Sequence, residues 1–304
     1  MKYASIDVGT NTVLLLIAEL DKGISDILDI STITRLGEGL KEKGLICNEA
    51  MTRTFRALEE YRKIIDANGV CEIFCVGTSA LREAENAEVF LKMVSEKLKL
   101  TIRIISEHDE AYYTYLSVKN DELIKDESVI IVDIGGGSTE IIKGNSQEFI
   151  DYISLPTGTV KLTEMFVKHD PPLNGELSSL KAYSKDLLLT LPFNGYGSAL
   201  IGAGGTITNL AGIVLGLEVF DKEIVHASGI TLNEIDKLID LMKNMYTSER
   251  KAIKGMEKGR EDIFLQGIIF LKEIMVYFEI DKLIVSTKGV RYGVIYEKFW
   301  ELRS

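Results

Sequence analysis

The chain has 304 residues, of which 46% are hydrophobic and 27% charged, a balance typical of a globular protein with room for two cores. Its 35 basic and 46 acidic residues give a net charge of −11, which argues against a broad nucleic-acid-binding face. The binding of any polyanion would have to rest on local hydrogen-bond donors or on a bound cation. The apolar runs are too short to cross a bilayer, and Asp7 stands where a signal peptide needs apolar residues, so we expect a cytoplasmic protein.

The three cysteines, Cys47, Cys71 and Cys75, are too sparse for a disulfide framework. Strand alternation would place Cys71 and Cys75 on one face, and we expect both to be buried thiols. The three histidines are scattered without ligand spacing, which argues against a zinc enzyme.

The chain opens with a predicted meander of strands at residues 3–7, 12–19 and 24–34. The turn Asp7-Val-Gly-Thr-Asn-Thr12 places an acid, a glycine, hydroxyls and an amide where the first strand ends. Glycine lets the backbone bend sharply and approach a ligand, and several turn N–H groups can converge on an anion. The acid suits a metal ion. Taken alone, such a turn is more often a plain connection than a phosphate site.

A polar glycine-rich loop follows the meander, and Asn48 is predicted to cap a helix at 49–67. A strand at 72–77 then leads to Arg82. Arg82 lies just past a strand end, where the ligand sites of α/β proteins gather, and a guanidinium can bind phosphate through two hydrogen bonds. It is therefore either a surface arginine or a phosphate contact.

A strand predicted at 100–105 is followed by Ser106-Glu-His-Asp109, a capping box that starts a helix. Glu107, Asp109 and Glu110 crowd the first turn of this helix. On the residues alone, these acids complement the helix dipole and need no further role.

A polar segment at 119–128 precedes Ile131-Val-Asp-Ile-Gly-Gly-Gly-Ser-Thr-Glu-Ile-Ile142, which repeats the plan of the first turn. Asp133 and Asp7 are 133 − 7 = 126 residues apart, a domain-scale spacing that indicates two related lobes. A third glycine-rich turn, Gly202-Ala-Gly-Gly-Thr-Ile-Thr208, precedes an apolar helical stretch. Its amides would lie at a helix N-terminus, where anions bind readily.

The rest of the second lobe is predicted to be mostly helical. Thr231, with Glu234 three residues later, should cap one helix. A strand at 282–286 precedes the terminal helix, near whose start Lys288 and Arg291 are either helix-terminus residues or ligand contacts. The predicted helices lie at 160–168, 177–191, 205–215, 231–245 and 248–271, and an apolar run at 263–278 is expected to form the central packed helix.

These turns resemble those of the exopolyphosphatase/guanosine pentaphosphate phosphohydrolase (Ppx/GppA) family in its short, two-domain form. The resemblance implies an α/β fold of two actin-like (RNase H-like) ATPase lobes with an interdomain cleft, at residues 1–121 and 122–304. The terminal helix at about 290–304 is expected to pack back on the first lobe. Further motifs occur in the family's order: Arg35-Leu-Gly-Glu-Gly39, Gly77-Thr-Ser-Ala-Leu-Arg-Glu-Ala-Glu-Asn86, the segment 106–111, Leu155-Pro-Thr-Gly-Thr159 and Val285-Ser-Thr-Lys-Gly-Val-Arg-Tyr-Gly-Val294.

The resemblance also implies metal-dependent hydrolysis of a phosphoanhydride, with release of the terminal orthophosphate. Glu110 matches the family's catalytic base, although the common pattern has glutamate where His108 or Asp109 stands, which makes Asp109 the competing candidate. The residues implied to hold Mg²⁺ (or Mn²⁺) are Asp7, Asp133 and Glu140. The residues implied to bind substrate phosphates are Thr10, Asn11, Thr12, Arg82, Gly136, Gly137, Ser138, Thr139, Gly204, Gly205, Thr206 and Arg291.

We expect polyphosphate as the first substrate and guanosine penta- or tetraphosphate as the second, because short members of the family are generally exopolyphosphatase-like. Two other classes stay open. An ATP-using kinase or ATPase of the same fold would need an adenosine pocket around 202–209, and a non-catalytic polyphosphate or alarmone sensor would release no phosphate. The intact acids disfavour the sensor, since a pure polyanion binder would gain by losing them. Such folds often dimerise, so a homodimer is expected, although no heptad pattern marks an interface.

Overall fold

The computed structural model describes residues 1–121, 128–195 and 197–303. The chain forms two compact units, Met1–Asn120 with Gly289–Ser304 and Asp121–Lys288. Within the predicted link at 119–128, residues 122–127 lie outside the described part. The strands are β1 (Lys2–Val8), β2 (Thr12–Leu20), β3 (Ile24–Ile33), β4 (Glu72–Gly77), β5 (Ile102–Ile104), β6 (Val129–Ile134), β7 (Thr139–Gly144), β8 (Phe149–Leu155), β9 (Ala199–Ala203), β10 (Gly229–Thr231) and β11 (Lys282–Val285).

The helices follow the same chain order. Those of the first unit are α1 (Leu40–Lys43), α2 (Asn48–Ala67), α3 (Ser79–Glu83), α4 (Ala87–Leu98) and α5 (Glu107–Lys119), with α13 (Val290–Glu301) from the end of the chain. Those of the second unit are α6 (Thr159–Phe166), α7 (Asn174–Leu188), α8 (Gly205–Val214), α9 (Lys222–Val225), α10 (Leu232–Met242), α11 (Thr247–Arg250) and α12 (Phe264–Tyr277). No helix of the described residues is long and apolar enough to span a membrane.

The first unit is built on a sheet with the described strand order β3-β2-β1-β4-β5. The meander β1–β3 is antiparallel, and β4 and β5 continue the sheet parallel to β1. Apolar residues of β1 and β2 are buried against α2 and α4. The terminal helix α13 packs on α5, where a Cβ added to Gly293 would lie 2.0 Å from the carbonyl oxygen of Tyr113. Only glycine permits that approach of the two helices.

The second unit repeats this plan, with the order β10-β11-β9-β6-β7-β8 among its described strands. Strands β6, β7 and β8 form the antiparallel meander, and β9 and β11 extend the sheet parallel to β6. Helix α12 is buried at the centre of the core, which confirms the packed helix expected at 263–278. The two-sheet α/β class is thus confirmed, and β10 is an extra edge strand that the sequence did not predict.

Two predictions of local structure in the second half of the chain were inexact. The long helix at 248–271 is instead the short α11, a run of turns, and then α12. Gly255 and Gly259 have φ of +87° and +93°, a left-handed conformation that interrupts a right-handed helix. The helix predicted at 177–191 begins and ends earlier, at Asn174–Leu188.

Two predictions in the first unit were wrong. Asn48 is already helical, and the extended Cys47 precedes it without a side-chain capping bond. Cys71 is exposed, whereas Cys75 is buried, because Cys71 lies just before β4 rather than within it. Ser106 does cap α5, since its hydroxyl accepts from the Asp109 N–H at 3.0 Å.

The predicted capping box at the start of α10 is present and has a pH-dependent consequence. Thr231 donates its N–H and its hydroxyl to Glu234 Oε2 at 2.8 and 2.7 Å, and the hydroxyl accepts from the Glu234 N–H at 3.3 Å. The bond from the backbone N–H, followed by that from the hydroxyl, lowers the pKa of Glu234 below its ordinary 4.5. A carboxylate with a lowered folded-state pKa stabilises the fold above its unfolded pKa, and this stabilisation is lost as pH falls through the folded value.

We therefore expect Glu234→Gln to lower the free energy of unfolding at neutral pH, with a difference from wild type that shrinks as the pH falls below 4.5. Denaturant titrations across that range would measure it. Glu223→Gln removes an exposed acid of the same unit and should show no such trend. A difference for Glu234→Gln that does not change with pH would contradict the assignment.

Candidate active site

The two predicted glycine turns have the same backbone geometry. In the first, the Gly9 N–H donates to the Thr12 carbonyl at 3.0 Å, and in the second, the Gly135 N–H donates to the Ser138 carbonyl at 3.1 Å. A Cβ added to Gly9 or Gly135 would lie 2.9 or 3.1 Å from that same carbonyl oxygen. The equivalent bond explains why both turns carry glycine two residues after the aspartate.

In the first turn, the carbonyl groups are bound by the backbone that follows β3. The Asn11 carbonyl accepts from the N–H groups of Thr34 and Arg35, both at 2.9 Å, and the Thr10 carbonyl accepts from Gly37 at 2.9 Å. In a trans peptide the C=O and the next N–H point in opposite directions. The Asn11 N–H therefore points away from the segment 34–37, so the turn presents a donor on its other side.

The second turn is held in the same way by the segment that follows β8. Its Gly135 and Gly136 carbonyls accept from the N–H groups of Thr159 and Val160, both at 3.0 Å. A Cβ added to Gly158 would lie 2.4 Å from the carbonyl carbon of Gly136, so glycine is required there. By the same peptide geometry, the N–H groups at 136 and 137 point away from this segment. An outward set of amides is suited to an anion.

The polar side chains of the turns divide into two groups. Thr10, Asn11 and Ser138 are buried within the turns, and Asn11 Oδ1 has no hydrogen-bond partner in the described part of the chain, while its amide donates to Thr12 Oγ1 at 3.3 Å. Thr139 is different. Its hydroxyl donates to the Thr157 carbonyl at 2.7 Å, so this side chain binds the protein backbone, and its role in phosphate binding stays a prediction.

Arg82 and Glu110 meet at one edge of the first sheet. Arg82 follows β4 and Glu110 lies in the first turn after β5, and these neighbouring strands are parallel, so their carboxyl ends share an edge. Arg82 Nη1 donates to Glu110 Oε2 at 2.8 Å and to the Ile105 carbonyl at 3.0 Å. Asp7 lies near the end of β1, which is parallel to β4, and so belongs to the same edge. The parallel strands thus place two carboxylates, Asp7 and Glu110, and the Arg82 guanidinium at one edge of the sheet.

In the second unit, two carboxylates are neighbours across the β6–β7 ladder. Asp133 pairs in register with Glu140, so the two side chains lie on the same face of the sheet. Glu140 is buried and accepts from the Ser154 hydroxyl at 2.9 Å. A Cβ added to Gly204 would lie 2.3 Å from Asp133 Oδ1, which shows how closely the third glycine turn approaches this carboxylate.

The third turn begins α8, so the N–H groups at 205 and 206 lie in the first turn of that helix, without intrahelical acceptors. The buried Arg260 lies against it, because a Cβ added to Gly205 would be 2.1 Å from Arg260 Nη2. Arg260 also pairs with Glu257. Arg260 was not predicted from the sequence. No local pattern marks it, since it reaches Gly205 through the turns that stand in place of the predicted helix.

Arg291 is bound by a carboxylate of its own unit. Its Nε and Nη2 donate to the two carboxylate oxygens of Asp29 at 2.9 and 2.8 Å within the first unit. The guanidinium also lies over the Tyr292 ring, 4.9 Å from its centre. Asp29 binds the bidentate face of the guanidinium, so Arg291 fixes α13 on β3, and its role in phosphate binding stays a prediction. Lys288 pairs with Asp121 at 3.2 Å in the second unit.

The acids predicted to hold Mg²⁺ fit that ion in chemistry but do not form a complete protein cage. No group of three or more His, Cys, Asp or Glu side chains in residues 1–121, 128–195 and 197–303 is arranged to hold a metal. Mg²⁺ usually takes one or two carboxylates together with waters and substrate phosphates. Two carboxylates directly across a ladder repel each other, so the Asp133–Glu140 pair fits a site that a cation would stabilise.

The chain matches the Ppx/GppA phosphatase family over residues 16–301. It belongs to that family. The Ppx/GppA member from Aquifex aeolicus, solved by crystallography, is 36% identical, with a TM-score of 0.84 and coverage of 100% of this chain and 99% of that one. This confirms the actin-like two-domain fold.

Two curated relatives differ in how much of their length the chain covers. The "bifunctional 3-dehydroquinate synthase/phosphatase" of Fusobacterium nucleatum is 38% identical over 97% of this chain, which spans 46% of that protein. "Exopolyphosphatase 2" of Mycobacterium tuberculosis is 28% identical over 96% of this chain and 97% of its own length. The chain therefore spans about half of one relative and nearly all of the other.

Proposed function

We propose that this Ppx/GppA family member is an acid anhydride hydrolase that releases terminal orthophosphate from inorganic polyphosphate, with guanosine pentaphosphate as the alternative substrate. The observation that carries the proposal is the pair of turns whose carbonyls are bound by their own unit, which leaves amide donors directed outward beside carboxylates. Similarity to a full-length relative named an exopolyphosphatase supports polyphosphate as the substrate.

The charge arrangement of the first unit supports a general-base step. Glu110 is buried beside Arg82, and an ion pair with a guanidinium favours the carboxylate over the acid. The proposed role of Glu110 is to orient a water and accept its proton as that water attacks the terminal phosphorus. Arg82 holds Glu110 in place and, with the turn amides, offers donors to the phosphate oxygens. Phosphoryl transfer depends mostly on such positioning and charge stabilisation.

The cation is part of the proposal and is expected to be Mg²⁺ or Mn²⁺. The carboxylates predicted to hold such an ion, directly or through water, are Asp7 in the first unit and Asp133 and Glu140 in the second. Bound there, it would neutralise charge on the substrate oxygens. The buried Asn11 Oδ1 is a further oxygen ligand of the type that such ions accept. The residues at 204–206 and Arg260 would bind the more distant phosphates.

Orthophosphate release provides the test of substrate and metal. We expect release from long-chain polyphosphate with Mg²⁺, less from guanosine pentaphosphate, little from ATP, and none after chelation by EDTA. Tripolyphosphate, run in parallel, reports the chain-length preference. Release from ATP alone would overturn the proposal in favour of the ATPase class. Tight binding of polyphosphate without any release would indicate the sensor.

Three further expectations from the sequence remain predictions. They are a cytoplasmic location, the lack of a nucleic-acid partner, and a homodimer. The free cysteines of the chain are compatible with a reducing compartment.

A further inference from the structure

Arg53 of α2 binds the segment 34–37, and this segment binds the first glycine turn at 10–12. Its Nε donates to the Thr34 carbonyl at 2.9 Å, and its Nη2 donates to the Arg35 carbonyl at 3.3 Å. Nη2 also pairs with Glu38 at 2.7 Å. One guanidinium therefore holds two consecutive carbonyls and an acid of the same segment, a geometry that a single ammonium could not reproduce.

These contacts continue into the turn through a single peptide group. The Thr34 carbonyl and the Arg35 N–H belong to the same peptide, and that N–H donates to the Asn11 carbonyl at 2.9 Å. A cation at one end of such a chain polarises each following peptide in the same direction, so the bonds strengthen one another. The charge of Arg53 thus favours the orientation in which the Asn11 carbonyl faces the segment 34–37.

The backbone at this point requires such support. Arg35 has a φ of +52°, a left-handed conformation that a side-chain-bearing residue rarely adopts. Strained conformations persist only where the surrounding contacts fix them. Arg53 binds the carbonyl on one side of Arg35 and the carbonyl of Arg35 itself, so it fixes both peptides that flank the strained residue.

Among the described contacts of the second unit, hydroxyl groups bind the corresponding segment. There the Thr157 hydroxyl lies 2.8 Å from the Tyr183 hydroxyl, and the Thr157 carbonyl accepts from Thr139. The two turns share their backbone bonds but differ in what stabilises them from behind. The contact described behind the first turn is a guanidinium, and those described behind the second are hydroxyls.

We propose that Arg53 is a positioning residue that sets the geometry of the first phosphate-binding turn without touching the substrate. The inference rests on the proposed function, since it assumes that the turn at 10–12 binds a phosphate. Loss of Arg53 would let the segment 34–37 relax, including the Gly37 N–H that binds the Thr10 carbonyl. The Asn11 N–H belongs to the same peptide as that carbonyl and would be misplaced, which weakens phosphate binding while the Arg82–Glu110 pair stays intact.

The test compares Arg53→Met with Arg62→Met. Both remove one positive charge from the same helix, but Arg62 pairs only with Asp66 on the surface among its described contacts. We expect Arg53→Met to raise the KM for polyphosphate roughly tenfold, with a smaller change in kcat, as the loss of a charge-assisted hydrogen bond implies. Arg62→Met should leave both constants near wild type. Arg53→Lys keeps the charge but loses the paired Nε and Nη2 donors of the guanidinium, so its KM should lie between those of wild type and Arg53→Met.

A second readout does not depend on turnover. Binding of tripolyphosphate, followed by calorimetry in EDTA, should weaken in Arg53→Met by a similar factor and remain near wild type in Arg62→Met. Thermal unfolding identifies any variant that fails to fold, and Arg53→Lys then carries the comparison. Equal KM for the two methionine variants, with an active wild type, would overturn this inference and leave the proposed function standing. A wild type that neither hydrolyses nor binds these anions would overturn both.

Discussion

Replacing Glu110 with Gln is expected to lower kcat for orthophosphate release by about 10²- to 10⁴-fold, the usual contribution of a positioned general base. Gln has the shape of Glu and can still accept from Arg82, so the fold and the binding of substrate should survive. The amide cannot take a proton from water at neutral pH. The measurement is steady-state orthophosphate release, with tripolyphosphate binding measured in parallel.

Asp109→Asn is the matched control for the base assignment. Asp109 lies in the same first turn of α5, and only its backbone N–H is used to cap the helix. Its side chain is exposed, whereas that of Glu110 is buried against Arg82. Asp109→Asn should therefore keep near-normal kcat. The base would have to be reassigned if Asp109→Asn abolished release while Glu110→Gln remained active.

Replacing Asp29 with Asn is expected to destabilise the protein by about 3–5 kcal/mol, the usual result of removing one partner from a buried ion pair. Burial alone would lower the pKa of Arg291, but the Asp29 carboxylate raises it above its ordinary value. Without that carboxylate, a buried guanidinium keeps its charge, loses its counter-charge and keeps at most one of the two bonds, because Asn has a single acceptor oxygen. Denaturant unfolding at neutral pH measures the loss.

Asp26→Asn provides the comparison for Asp29→Asn. Asp26 accepts from the Tyr292 hydroxyl at 2.6 Å but makes no described bond to Arg291, so its loss should cost much less. Neither variant should raise KM in the protein that remains folded. A raised KM for Asp29→Asn without loss of stability would instead support Arg291 as a phosphate-binding residue.

The sequence predicted those parts of the site that depend on local pattern. The two turns, the strand ends that carry Asp7 and Asp133, and the helix start at Glu110 all follow from residue type and strand–turn order. The family resemblance, not the pattern, selected Glu110 among the acids of its turn. The structure then added the ion pair with Arg82, which joins residues 28 positions apart.

The missed features depend on contacts that no local pattern encodes. The ion pair of Arg291 was not foreseen, because a glycine-bearing turn after a strand is as typical of a ligand site as of a helix start. Its partner Asp29 lies 262 residues away. Arg260 was missed because Gly255 and Gly259 break the predicted helix, and the path of the resulting turns is set by packing. The bond from Thr139 to the Thr157 carbonyl was not foreseen either, because a hydroxyl can bind a ligand or the backbone equally well.

The turns with bound carbonyls are each closed by a short stretch of chain. The bonds join position 10 to 37 in one case and 135 to 159 in the other, separations of 27 and 24 residues. Contacts of such low sequence separation form with little loss of chain entropy. Each turn proposed to bind an anion therefore belongs to one continuous hairpin that can take shape before the later strands join its sheet. Duplication of that single segment would carry the turn and the backbone that binds it together. Two lobes of different sequence can therefore retain the same turn.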